Sequence, residues 1–400
     1  MPDDTFKLAC TMSDQPSTAG ACEEALSSLA RTMEGQTDFV CAFFSPHHVP
    51  RAPLIASEIL DQLAPQVVTG ASGAGVLAND HELQERPGLT IMAARMPGVA
   101  FHTFTHDDLD LLRPEPEEET LSQILGCPSA DIRGMMLLPD PYTPLGRMIS
   151  PLSRLINKGR SHDMLAPVFG GIASAGERPG DNRLILNEKV LPSGIVGLAW
   201  SGDIRMEAIV SQGCRPIGSP MIVTNAKRNI ILSLGGRTPL QAVQQMATDL
   251  DPEDQELLRN GLFIGRVVNE YQDSFGRGDF LIRNVIGVDQ KRGFVALNDQ
   301  VRTGQTIQFH VRDANAATED LELLLAAQHF DVPPLGGLLF TCTGRGSNLF
   351  DEPDHEVSTI RGCLPGTPVA GMFAAGEIGP IGAESFVHGH TACLVLMRGC

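Results

Sequence analysis

The chain has 400 residues, 42% hydrophobic and 20% charged, the balance of an ordinary globular protein of two or three domains. A net charge of −18 with no Lys/Arg cluster excludes a general nucleic-acid-binding surface. No apolar stretch reaches the length of a membrane span, about 18 residues, and MPDDTFKLAC is not a signal peptide, so the sequence predicts a cytoplasmic protein with no membrane partner.

Residues 1–37 read as an N-terminal extension with room for one helix, Ser17 to Met33, that turns Ala21, Ala25, Leu26 and Leu29 toward a core. An apolar strand follows, FVCAFFSP (39–46), then a helical stretch with Leu54, Ile55, Ile59 and Leu63 on one side, then LAPQVVTGASGAG (63–75). This order of strand, helix, proline, strand and small-residue turn recurs twice. The second copy runs from MMLLPDP (135–141), through a short helix with Ser150 as N-cap and Pro151 in its first turn, to LAPVFGGIASAG (165–176). The third runs from GGLLFTCTG (336–344), past HEVSTIRG (355–362), to TPVAGMFAAGEIG (367–379). Each copy is a βαβ unit, which predicts parallel pairing of its two strands.

After the first two copies, LTIMAARM (89–96) with VAFHTF (99–104), and IVGLAW (195–200) with IRMEAIV (204–210), read as hairpins across short Gly-containing turns. The acidic run Asp107 to Glu119, with Pro114 and Pro116 inside it, reads as a solvated linker. Later strands, LFIGRVV (262–268), FLIRNVIGV (280–288), FVALN (294–298) and TIQFHVRD (306–313), suggest an antiparallel meander. Thr238-Pro239-Leu240-Gln241 is a capping box that starts one helix, and a second is expected from Ala314 to Gln328 with Leu321, Leu324 and Leu325 inward. The expected fold is therefore α/β, two domains (38–235 and 236–397) of βαβ-type repeat units with added hairpins and a meander, the boundary near Gly235-Gly236.

Candidate site residues come from the turns that end the repeat strands. Arg345, in CTGRG after an apolar strand, suits a carboxylate or phosphate, or pairs with an acid such as Glu352 or Asp354. Glu377 could accept from a ligand amine, or brace Arg345. Ser72 and Ser174 occupy the matching turns of the first two copies and suit a pocket floor or plain turn chemistry. His388 and His390, two apart in extended chain, share a face and are candidate metal or haem ligands, with His47 and His48 behind them. Nine singly spaced cysteines fit reduced thiols in the cytosol, and Cys214 reads as a small buried residue. Cys342, His388 and Glu377 can be arranged as nucleophile, base and orienter, but no hydrolase signature surrounds Cys342, so it is placed with the ligand-binding residues and no enzyme is expected.

Taken together, VVTGASGAGVL, LTIMAARMPGVAFHTF and SQGCRPIGSPMIVT (211–224) resemble a FIST N domain. DFLIRNVIGVD (279–289), TIQFHVRDANAATEDL (306–321), CTGRG, PVAGMFAAGEIGP (368–380) and SFVHGHT (385–391) resemble a FIST C domain. The resemblance implies a sensory protein that binds a small ligand, with amino acids suggested, and no cofactor; haem sensing and a bare interaction scaffold are alternatives. With no room for an output module in the 400 residues, it also implies signalling through a separate partner protein, with closure about Gly235-Gly236 as the expected motion.

Overall fold

The computed structural model describes residues 5–33, 35–109, 117–144, 146 and 148–399. They form two compact units: residues 1–210, 321–387 and 392–400, and residues 211–320 with 388–391.

The first unit holds all three repeats, and each is longer than its βαβ core. Repeat one comprises β1 (Lys7–Ser13), α1 (Thr18–Met33), β2 (Phe39–Phe44), α2 (Ala52–Leu63), β3 (Val67–Ser72), β4 (Gly75–Ala78), β5 (His81–Gln84) and β6 (Leu89–Arg95). Repeat two comprises β7 (Val99–Thr105), α3 (His106–Leu109), α4 (Glu118–Leu125), β8 (Ile132–Pro139), α5 (Ile149–Ile156), β9 (Val168–Gly171), β10 (Leu184–Leu186), β11 (Lys189–Leu191) and β12 (Ile195–Gly202). Repeat three opens with β13 (Ile204–Gln212) and is then interrupted by the second unit. That unit carries β14 (Cys214–Lys227), β15 (Ile230–Leu234), α6 (Pro239–Asp249), α7 (Pro252–Asn260), β16 (Phe263–Val267), β17 (Phe280–Asp289), β18 (Phe294–Leu297) and β19 (Thr306–Arg312). Repeat three resumes with α8 (Ala314–Ala326), β20 (Gly336–Cys342), α9 (His355–Cys363), β21 (Val369–Ala374), β22 (Glu377–Ile381), β23 (Glu384–His388) and β24 (Thr391–Gly399).

The three βαβ units pair in parallel as expected, β2 with β3, β8 with β9, and β20 with β21. Their surroundings show a cyclic exchange. The sheets run β1-β6-β2-β3-β10-β11, β7-β12-β8-β9-β22-β23 and β13-β24-β20-β21-β4-β5. Each sheet thus takes its last two strands from another repeat: repeat two lends β10-β11 to sheet one, repeat three lends β22-β23 to sheet two, and repeat one lends β4-β5 to sheet three. The same exchange explains why the two expected hairpins do not form. β6 pairs with β1 and β2 while β7 pairs with β12, and β12 pairs with β7 and β8 while β13 lies beside β24. The short turns Pro97-Gly98 and Ser201-Gly202-Asp203 carry the chain from one sheet to the next. The described part of 1–37 likewise supplies the opening strand and helix of repeat one rather than an appendage, and Ala21, Ala25, Leu26 and Leu29 are buried.

Both faces of each sheet are covered, so the central strands are apolar throughout. On β2, Phe39, Cys41 and Phe43 face a core shared by all three sheets, while Val40, Ala42 and Phe44 pack under α1 and α2. In the shared core Phe43 meets Phe340 edge-on at 5.6 Å and Phe169 stacks on Trp200 at 5.8 Å. Leu321 and Leu325 of α8 pack with Val357 and Ile360 of α9 on the outer face of sheet three, and Leu324 is half-buried against them.

Each second repeat strand carries a glycine against the backbone of the first. A Cβ on Gly70, Gly170 or Gly371 would sit 2.1, 1.9 or 1.8 Å from the carbonyl oxygen of Ala42, Leu137 or Leu339. Backbone inside a paired sheet cannot yield as a side-chain tip can. We expect Gly371→Ala to destabilise the chain by at least the ~1–3 kcal/mol typical of overpacking, read as a lower urea midpoint at unchanged slope.

The second unit is a closed barrel, β14-β15-β18-β17-β16-β19. β16, β17 and β18 form the expected meander, but β19 returns between β16 and β14 to close it. Gly235-Gly236 is the turn between β15 and α6, inside this unit. The chain crosses between the compact units elsewhere: at 210/211, within α8, and at 387/388 and 391/392. Thr238 caps α6 in the expected box, its Oγ1 accepting from Gln241 N at 3.3 Å. α5 starts at Ile149, so Ser150 is a first-turn residue rather than the cap. Of the acidic run, residues 110–116 lie outside the described residues, and its described ends belong to α3 and α4. Among the described residues no helix is long and apolar enough to cross a membrane.

Candidate functional site

The small-residue turns that end β3, β9 and β21 meet one another. Ser174 N donates to Ser72 O at 3.1 Å, Ile172 N to Gly376 O at 2.9 Å, and Ala375 N to Ile172 O at 3.0 Å. Ser72 Oγ accepts from Arg183 N at 2.9 Å, and Ser174 Oγ accepts from Ala74 N at 2.8 Å while donating to Phe373 O. Here the group that approaches these glycine- and serine-rich turns is the next repeat.

Ser72, Arg345, Glu377, His388 and Cys342 are all buried, and Ser174 is half-buried. Arg345 pairs through Nε with Glu356, on the first turn of α9, rather than with Glu352, Asp354 or Glu377. Its Nη1 and Nη2 find no partner among the described residues, and the guanidinium lies 5.4 Å from the Phe350 ring centre, which in turn stacks on His355. Beside this pair stands Glu82, brought in by the lent strand β5. Its Oε1 accepts from Glu356 N at 2.9 Å and Val357 N at 3.1 Å, capping α9, while its own N–H donates to Asp354 Oδ1 at 2.6 Å. Burial, and then the neighbouring Glu356 carboxylate, push the Glu82 carboxyl up to about 8.

The histidines divide. His48 is buried with Nδ1 3.0 Å from Thr18 Oγ1, and burial lowers its pKa; His47 is exposed beside Ser45. His388 and His390 fall on the 388–391 segment that belongs to the barrel unit, where His390 Nε2 lies 2.7 Å from Asn284 Oδ1 and its ring 4.4 Å from Phe263. Cys214 is buried, as expected, and burial pushes the thiols of Cys10, Cys41 and Cys393 well above the ordinary range.

One concavity of the first unit is lined by none of the residues of these turns. It is a cleft of about 430 Å³ between the edge strand β13 and the loops of repeats two and three. Ala166, Pro167, Met206 and Ala208 supply apolar surface. Asn157 stitches one side, its Nδ2 donating to Ala166 O at 3.1 Å and its Oδ1 accepting from Ala166 N at 2.8 Å. Charges of both signs line the rest. Arg205 pairs with Asp331 and holds its carboxyl below the usual range. Glu207 takes Gln328 Nε2 at 3.0 Å and the buried Arg398 Nη1 at 3.0 Å, and Arg398 Nε is anchored on Val332 O at 2.6 Å. Asp163 also lines the cleft, its pKa lowered by the Ser161 hydroxyl. Such a site can grip a small molecule bearing both an anionic and a cationic group. The signal for it in the sequence is IRMEAIV, where Arg205 and Glu207 alternate within an otherwise apolar strand.

Two family models match the chain, the FIST N domain over residues 38–237 and the FIST C domain over residues 241–380. Uncharacterized protein Rv0628c of Mycobacterium tuberculosis is 37% identical over 395 residues, which cover 98% of this chain and 99% of that protein. Uncharacterized protein Mb0898c of Mycobacterium bovis is 39% identical over 351 residues, 87% of each chain.

Proposed function

The chain belongs to the FIST family, whose domains are associated with sensory signal transduction, and from that membership we propose that it binds a small zwitterionic ligand in the β13 cleft and signals through a separate partner protein. The observation that carries this reading is the cleft itself. It has the size of a small-molecule site, a partly apolar lining and fixed charges of both signs. Its arginine Arg205 is half-exposed and pairs with the half-buried Asp331, so a ligand carboxylate can replace that partner. Glu207, paired with Arg398, would supply the negative charge for an ammonium group.

A thermal-shift screen of zwitterionic metabolites, amino acids among them, tests this. A ligand at 100 times its Kd stabilises the folded state by ~2.7 kcal/mol. We expect Arg205→Ala to weaken such a hit by about tenfold or more, the worth of one charge-assisted contact. If no zwitterion shifts the melting transition, or Arg205→Ala binds the hit as the parent does, the cleft is not the sensor site.

A second reading rests on β13 being the edge strand of its sheet. Four consecutive residues of it, Arg205 to Ala208, line the cleft, so an extended peptide could add there as a further strand. That scaffold reading predicts binding of an extended partner segment and indifference to small zwitterions. The haem alternative predicts a Soret band on adding hemin that is lost in His388→Ala or His390→Ala.

A further inference from the structure

The barrel unit carries a groove of its own, about 460 Å³, between α6 and a bulge in β14. β14 pairs with β19 at Ile217 and again at Met221, so Gly218, Ser219 and Pro220 loop out of the ladder and leave room beneath the helix. Gly218 has φ +62, and a Cβ there would meet Met246 Sδ at 2.8 Å, so the loop runs close under the α6 side chains.

The lining is chemically simple. Met221, Leu234, Met246 and Leu250 give an apolar wall, and two of the four are methionines, whose flexible thioether side chains adapt to either a ring or a chain. The rim carries one cation, Arg237. It makes no ion pair among the described residues, and its guanidinium donates to the neutral amide of Gln245. Asp249, one helical turn beyond Gln245, also makes no ion pair among the described residues.

We propose that this groove is a second ligand site, separate from the β13 cleft, that takes a small monocarboxylic acid with an apolar body. The apolar part lies along the methionine wall, and the carboxylate replaces the Gln245 amide on Arg237, exchanging a neutral hydrogen bond for a charge-assisted one. Asp249 repels a second anionic group, which selects against dicarboxylates.

The test is calorimetric titration of the full chain with octanoate and, separately, octanol. Octanoate should bind with a negative heat-capacity change, the mark of apolar burial. Arg237→Ala should weaken octanoate by about tenfold or more and leave octanol unchanged. Ser219→Trp, at an exposed position, should fill the groove and abolish binding of both. Gln245→Glu gives Arg237 a carboxylate within the chain and should weaken octanoate without touching the loop. The proposal is overturned if octanoate does not bind, if it binds Arg237→Ala as tightly as the parent, or if Ser219→Trp still binds it. A dimer that Ser219→Trp dissociates in sedimentation would equally overturn it, since the groove would then be a contact between copies.

Discussion

Replacing Arg345 with methionine should cost ~3–5 kcal/mol of stability, the usual result of removing one partner of a buried ion pair. Arg345 and Glu356 are both fully buried, and the Glu356 carboxylate also acts on the neighbouring Glu82 carboxyl. Without the guanidinium, the Glu356 carboxylate loses its only ion-pair partner among the described residues while still facing a second carboxyl. The loss should centre on one junction, because the cluster fastens the lent hairpin β4-β5 of repeat one to α9 of repeat three. Hydrogen exchange should quicken first in 75–84 and at the start of α9, before the strands of the shared core. The double variant Arg345→Met, Glu356→Leu removes both charges and should recover most of the loss, as buried pairs replaced by apolar residues commonly do. A urea series on the parent, the single and the double variant decides it. If Arg345→Met alone unfolds at the parent's midpoint, the pair does not hold this junction.

The βαβ units were legible because each element has a local cause. Continuous apolar runs such as FVCAFF mark strands covered on both faces, and Leu54, Ile55, Ile59 and Leu63 mark a helix with one buried side. The destination of a strand has no such cause. Pro97-Gly98 signals a change of direction, yet whether β7 folds back on β6 or crosses to β12 is decided by partners some hundred residues away. The barrel was hidden for a related reason: Pro216 and Pro220 interrupt β14, whose pairing with β19 resumes across the bulge. Glycine and serine turns announce only that something approaches the backbone closely. At Ser72, Ser174 and Gly376 that neighbour is another repeat of the same chain. Arg205 and Glu207 line a concavity because β13 ends its sheet, which no local pattern states.

Glu82 should make the protein less stable as the pH rises from about 5 to 8. Its carboxyl titrates near 4.5 when unperturbed and near 8 in the folded protein, because burial and Glu356 oppose its charge. Between those values the native state holds a proton that the unfolded chain has released. Stability therefore falls with rising pH across that window, and levels off once both states are ionised. Glu82→Gln keeps a carbonyl oxygen to accept from Glu356 N and Val357 N but cannot ionise. The variant should match the parent near pH 5 and exceed it at pH 9, by an amount on the order of a few kcal/mol. Urea midpoints at pH 5, 7 and 9 check it. The difference between variant and parent must grow with pH; a constant difference, or one that shrinks, would mean that Glu82 is already ionised at neutral pH. Growth of that difference would also identify the capping Glu82 carboxyl as the neutral member of the junction, beside the Arg345–Glu356 pair. A neutral cap is what allows a third ionisable side chain to be buried beside that pair, where one repeat lends its strands to another.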